Sequence, residues 1–117
     1  MAFLATTNAD EAQHFYKDVL GLELISRDNY ALLLNANGIN LRVALVPEYK
    51  APAYSVISWL VDDINTEVDE LSSKGVKFEQ YGMPGQDEKG VWTSLDGTKV
   101  AWFKDPQRNI LSLTKFV

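Results

Sequence analysis

Two stretches of this chain, 54 residues apart, repeat one local plan, and that repeat constrains the fold more than any single motif. In NADEAQHFYKDVLGLELI (8–25) and DDINTEVDELSSKGVKFE (62–79), a capping residue opens about three helical turns, a glycine ends them and a strand follows. Asn8 is placed to cap the first helix, with Glu11 at capping-box spacing; Asp62 or Asp63 caps the second. Ala12, Phe15, Tyr16, Val19 and Leu20 form one apolar stripe, and Ile64, Val68 and Leu71 form the other. Gly21 and Gly75 fall where helices turn left-handed to stop.

A second pair of stretches repeats at a larger offset. YALLLNANGINLRVAL (30–45) and VAWFKDPQRNILSLT (100–114) each read as strand, short turn, strand, and matching Ala31 to Ala101 places Arg42 on Ser112 and Leu41 on Leu111. In the turns, NANG supplies a glycine for positive φ, whereas DPQRN combines a φ-fixing proline with an asparagine that tolerates a left-handed backbone. The offset grows from 75 − 21 = 54 to 101 − 31 = 70, so the second copy holds about sixteen extra residues between a strand at Phe78 and one at Val100. That insert, EQYGMPGQDEKGVWTSLDGT, reads as a Gly/Pro loop, a short strand over 91–95 and an Asp96-Gly97 hairpin turn.

Each half is therefore strand, helix, strand, strand, strand. The expected class is α+β: a single domain over 1–117, built of module one (1–50) and module two (51–117). A length of 117 residues suffices for a core without covalent staples. With no cysteine there is no disulfide, no thiolate nucleophile and no thiolate metal ligand, which fits a reducing compartment. A net charge of −5 without any Lys/Arg cluster disfavours nucleic acid as a partner. Apolar runs too short for a bilayer and an N-terminus without a basic leader leave no membrane partner and a cytoplasmic location as the expectation.

Two β-α-β-β-β copies in one chain resemble the vicinal oxygen chelate superfamily, which includes glyoxalase I, bleomycin-resistance proteins, fosfomycin-resistance enzymes and extradiol dioxygenases. The resemblance rests on FYKDVLGLEL (15–24), WLVDDINTEVDELSSKGVKF (59–78) and FKDPQRNILSL (103–113), the last similar to the superfamily's DPDGN turn and final strand. It implies paired modules whose mixed sheets curl into a cup with the helices outside. Relatives of this size also pair, so the resemblance implies a homodimer.

Period-2 alternation divides each strand between helix side and cup side. Ile39, Leu41, Val43 and Leu45 are expected under the helix, with Asn40, Arg42 and Ala44 in the cup. Ile57, Trp59 and Val61 fall on the helix side, with Val56, Ser58 and Leu60 in the cup. Leu111 and Leu113 are assigned to the core, with Ile110, Ser112 and Thr114 facing the cup. Metal-dependent relatives bind one divalent ion through four His or Glu ligands on cup-facing strand positions. By the resemblance these positions are Met1 or Ala2, Arg42, Val56 and Ser112 here, and none supplies a ligand. The expected site therefore holds no metal and needs no cofactor. His14, the only histidine, lies beside Glu11 and Asp18 on the expected solvent side of the first helix.

The candidate ligand-binding residues are Arg42, Ser58, Trp92, Trp102 and Ser112. Arg42 offers five planar donors to a carboxylate, phosphate or phosphonate, or else closes a cross-strand salt bridge. Trp92 and Trp102 offer a flat apolar wall, or simply fill the cup. Ser58 and Ser112 can hydrogen-bond a ligand but have no histidine to activate them as nucleophiles. Asp62 and Asp63 suit helix capping better than a catalytic pair. The 80–90 loop reads as a lid carrying Tyr81 and Met83, or as a mobile surface loop. These features fit a metal-independent binder of an organic or drug-like small molecule, nearer the bleomycin-resistance type. The competing expectation is a glyoxalase- or dioxygenase-like lyase or oxidoreductase with atypical active-site residues.

Overall fold

A computed structural model describes residues 1–117. The chain divides into two compact units: Met1–Ala51 with Asp105–Asn109, and Pro52–Lys104 with Ile110–Val117. Each is α+β, and no helix is long and apolar enough to cross a membrane.

Unit 1 comprises β1 (Ala2–Thr6), α1 (Ala9–Gln13) continuing as a π-helical segment His14–Val19, β2 (Glu23–Arg27), β3 (Ala31–Ala36) and β4 (Ile39–Leu45). The strands form one sheet in the order β1-β4-β3-β2, with β1 parallel to β4 and the other neighbours antiparallel. Unit 2 comprises β5 (Ser55–Leu60), α2 (Ile64–Ser73), β6 (Val91–Thr93), β7 (Lys99–Lys104) and β8 (Ile110–Lys115). Its order is β5-β8-β7-β6, with the same senses. The two sheets thus share one topology, as the sequence repeat requires.

Both helices start on the predicted caps. Asn8 accepts from the Glu11 N–H, but its own N–H goes to Thr6 Oγ1, which replaces the reciprocal arm of a capping box. Asp63, rather than Asp62, caps α2 through the Thr66 N–H and hydroxyl. These hydrogen bonds hold its carboxyl below the usual range. The far end of α2 closes in a Schellman arrangement: Val76 N–H reaches Leu71 O and Gly75 N–H reaches Ser72 O, with Gly75 at φ +94°. Ile64, Val68 and Leu71 are buried where α2 packs on β7 and β8. In the first helix the chain widens after Gln13, and Leu20 N–H closes a five-residue loop to Phe15 O. Phe15 and Tyr16 are both buried there, their rings meeting edge to face.

Several sequence expectations are corrected. The strand expected at Phe78 is reduced to an isolated bridge to Phe103, and the strand expected over 91–95 ends at Thr93. The edge of β7 is shared, because β6 pairs with Lys99–Ala101 while the Glu79 N–H bonds Trp102 O. Ile39 and Leu45 are exposed, since they lie at the two ends of β4; Leu41 and Val43, in its middle, are buried. In the DPQRN turn the left-handed residue is Arg108 (φ +67°), not an asparagine. Asn109 instead commits its side chain to the interior. Its Nδ2 donates to Asp105 Oδ2 and Ala5 O, and its Oδ1 accepts from the Tyr49 hydroxyl. Asp105 also accepts from the N–H groups of Gln107 and Asn109. This network is buried and lies within unit 1, although the strands flanking the turn belong to unit 2.

Candidate functional site

The helices cover one face of each sheet and leave the other open. On the open face of unit 1, β-register sets Phe3 and Leu33 on either side of Arg42. Arg42 is half-buried and its guanidinium makes no ion pair or hydrogen bond, so the cross-strand salt bridge is not formed. Asp28 feels its charge only weakly. That carboxyl is held below its ordinary value first by the Tyr30 and Ala31 N–H groups and last by Arg42.

On the open face of unit 2, register aligns Ser58, Ser112 and Trp102 in one row and Leu60, Thr114, Val100 and Trp92 in the next. Four of the five candidate residues are therefore neighbours on one sheet, and Arg42 stands on the sheet of unit 1. Trp59 takes the opposite, helix side, stacked on Phe103 with ring centroids 6.5 Å apart. The Trp92 and Trp102 rings lie 6.2 Å apart, and Tyr81 meets Trp102 edge-on at 5.6 Å. Burial is the first cause, and Glu79 the second, of a Tyr81 phenol pKa raised above its usual value of 10.0. Trp92 spends its indole N–H on Pro84 O, 3.1 Å away, whereas the Trp102 N–H has no protein acceptor.

Alternation misplaced one residue. An irregularity in β5 pairs Ser55 with Ile110 and Ile57 with Leu111, so Val56 is an extra residue that turns Ser55 onto the open face. Ser55 Oγ lies 2.9 Å from Ser112 Oγ and donates to Ile57 O, and Ser58 Oγ lies 2.7 Å from Thr114 Oγ1. Ser112 itself is 3% exposed, so its hydroxyl supports Ser55 from beneath.

The 80–90 loop is pinned along its length. Gln86 Nε2 donates to Glu79 O and Gly90 O, its Oε1 accepts from the Tyr81 N–H, and Gln80 Nε2 donates to Asp87 O and Glu88 O. Asp87 Oδ1 holds the Lys89 and Val91 N–H groups, and Thr93 N–H reaches Gly85 O. These bonds fix Tyr81 against Trp102.

A family model described as Glyoxalase/Bleomycin resistance protein/Dioxygenase superfamily matches residues 1–113. The chain belongs to that superfamily. Uncharacterized protein YraH of Bacillus subtilis (strain 168) is 24% identical over 135 residues, spanning 97% of this chain and 94% of its own. Among solved structures, the fosfomycin resistance protein FosX of Listeria monocytogenes superposes with a TM-score of 0.78 at 11% identity, covering 99% of this chain and 90% of that one. Lactoylglutathione lyase from Agrobacterium tumefaciens gives 0.72 at 18% identity, covering 97% and 90%. At these identities the likeness is one of fold.

The metal ligands that the superfamily resemblance implies do not fit. Met1 precedes β1 and Ala2 pairs with Leu41 on the helix side, so Phe3 is the β1 residue beside Arg42; by the same relation Ser58, not Val56, stands beside Ser112. Phe3, Arg42, Ser58 and Ser112 give one cation, two hydroxyls and a phenyl ring, where a divalent ion requires several anionic or imidazole donors. Nowhere in the chain do three His, Asp or Glu side chains gather. His14 is exposed and contacts Asp18 at 3.1 Å.

Proposed function

We propose that this member of the superfamily is a metal-independent binder of a small organic molecule, with Arg42, Ser58, Trp92 and Trp102 as its ligand-binding residues and the buried Ser112 acting on the ligand only through Ser55, which it holds in place, and that it works in the cytoplasm as a homodimer. The observation that carries this reading is the aromatic group Trp92, Trp102 and Tyr81 on the open face of unit 2, next to hydroxyls and without a convergent metal-ligand set. Flat apolar surface with a few placed polar groups is the composition of small-molecule sites. Arg42 supports an anionic group on the ligand, because its donors are unspent.

The test is a thermal-shift screen of organic acids, phosphonates, antibiotics, sugars and planar aromatics, repeated on Arg42→Ala and Trp102→Ala, with calorimetric titration of Zn²⁺, Mn²⁺ and Fe²⁺. Stabilisation by at least one organic class, lost on Trp102→Ala, is expected. Stoichiometric metal uptake at micromolar concentration would overturn metal independence and favour the lyase or dioxygenase alternative. Stabilisation of Arg42→Ala equal to that of the wild type would remove Arg42 from the site.

A further inference from the structure

The strand residues on the open face of unit 2 carry no unpaired charge. Lys104 is the one ion among them, and its ammonium lies 3.7 Å from Glu79. What the face offers instead is hydroxyl chemistry. Since Ser55 donates to Ile57 O, Ser112 must donate to Ser55, and that chain ends with one lone pair free on the exposed Ser55. The Ser58–Thr114 pair shares one bond between two hydroxyls, so one O–H proton and several lone pairs remain for a ligand.

Donors and acceptors thus alternate over a few ångströms. An anion there would face oxygen lone pairs, and an ammonium would find no carboxylate on the strands and only Glu79 beside them, already paired with Lys104. A ligand hydroxyl both gives and takes, and it matches. Beside the hydroxyls, Trp102 sits opposite Ser112 with its N–H free, and Leu60, 68% exposed, extends the apolar surface.

We infer that the open face of unit 2 is a subsite for an uncharged sugar ring, whose C–H face stacks on Trp102 while its hydroxyl edge bonds Ser58, Thr114 and Ser55. An aromatic plane with adjacent amphoteric hydroxyls suits such a ring, which is apolar on its faces and polar around its edge. This deepens the small-molecule-binding reading and rests on it.

The experiment is an NMR titration of the ¹⁵N-labelled full chain with methyl β-glucopyranoside and maltotriose, following the three indole N–H signals, with catechol and benzoate as controls. Expected is a saturable shift centred on Trp102 with affinity on the order of millimolar. Ser58→Ala and Thr114→Val should each weaken it by about three- to tenfold, the worth of one hydrogen bond, while leaving the melting temperature in place. If the sugars leave Trp102 unmoved while another class in the thermal-shift screen binds, the sugar subsite is overturned and the binding reading stands. Catechol binding that matches maltotriose and ignores both hydroxyl variants would also overturn it, leaving only a flat apolar surface. Silence from every class would overturn both.

Discussion

The hydroxyl of Tyr16 donates to the carboxylate of Asp105 at 2.5 Å, joining the π-helical segment to a turn 89 residues away in the chain. Tyr16 is fully buried and Asp105 is 7% exposed, so neither group has water to fall back on. Tyr16→Phe keeps the ring and removes the donor. It should destabilise the protein by about 1–3 kcal/mol, the range for a hydrogen bond to a buried charge. Equilibrium urea unfolding of both proteins measures it, and a change below a few tenths of a kcal/mol would refute the estimate.

The same pair sets the alkaline limit. Burial first, then the Asp105 charge and its hydrogen bond, push the Tyr16 phenol well above its usual value of 10.0. Because the folded pKa is the higher one, the unfolded chain loses this proton first. The contribution is whole below about pH 10 and declines above it by about 1.4 kcal/mol per pH unit, until the folded phenol itself ionises. Melting temperatures measured from pH 8 upward should fall less steeply for Tyr16→Phe, whose ring has no proton to lose.

Arg108 is exposed at φ +67°, a conformation that costs most side chains about 1–2 kcal/mol. Arg108→Gly removes this cost but adds freedom to the unfolded chain, so the net gain should be about 0.5–1 kcal/mol. Thermal melts should show the variant a few degrees more stable. A lower melting temperature would mean that the Arg108 side chain has a stabilising contact outweighing the strain.

Gly85 is hemmed in at φ +90°: a Cβ there would lie 2.9 Å from the backbone oxygen of Thr93. Since Thr93 N–H bonds Gly85 O, this contact is where the loop is fastened to β6. Gly85→Ala should release the loop, raising hydrogen exchange over residues 80–90 by at least tenfold while α2 keeps its protection. Unchanged exchange in the loop would show that Gln86 and Asp87 hold it without help.

Much of this architecture was readable in advance, because caps, stripes and alternation are local. Asn8, Asp63 and the buried trio Ile64, Val68 and Leu71 follow from spacing. Arg42 and Ser112 do take matching places, beside Phe3 and Ser58, but the anchor of that match is corrected: Ala31 pairs with Ala44 on the open face and Ala101 with Leu113 on the helix side, because the second hairpin holds one more residue between paired positions. What escaped was non-local or aperiodic. Period-2 counting cannot anticipate the extra residue at Val56, so Ser55 was left off the open face. Tyr16 reads as one more apolar position until Asp105 is brought to it. The loop reads as mobile because its restraint comes from Gln86, Asp87 and Trp92 bonding back across several residues.

The turn Asp105–Asn109 is carried by the second half of the sequence but completes the interior of the first unit. A fragment ending at Ala51 would bury the Tyr16 hydroxyl without its acceptor and lose the Asn109 amide from Ala5, a debt of several kcal/mol for a piece of that size. The first unit therefore cannot be released whole by a single cut after Ala51: the later half of the chain is an obligate structural component of the earlier one.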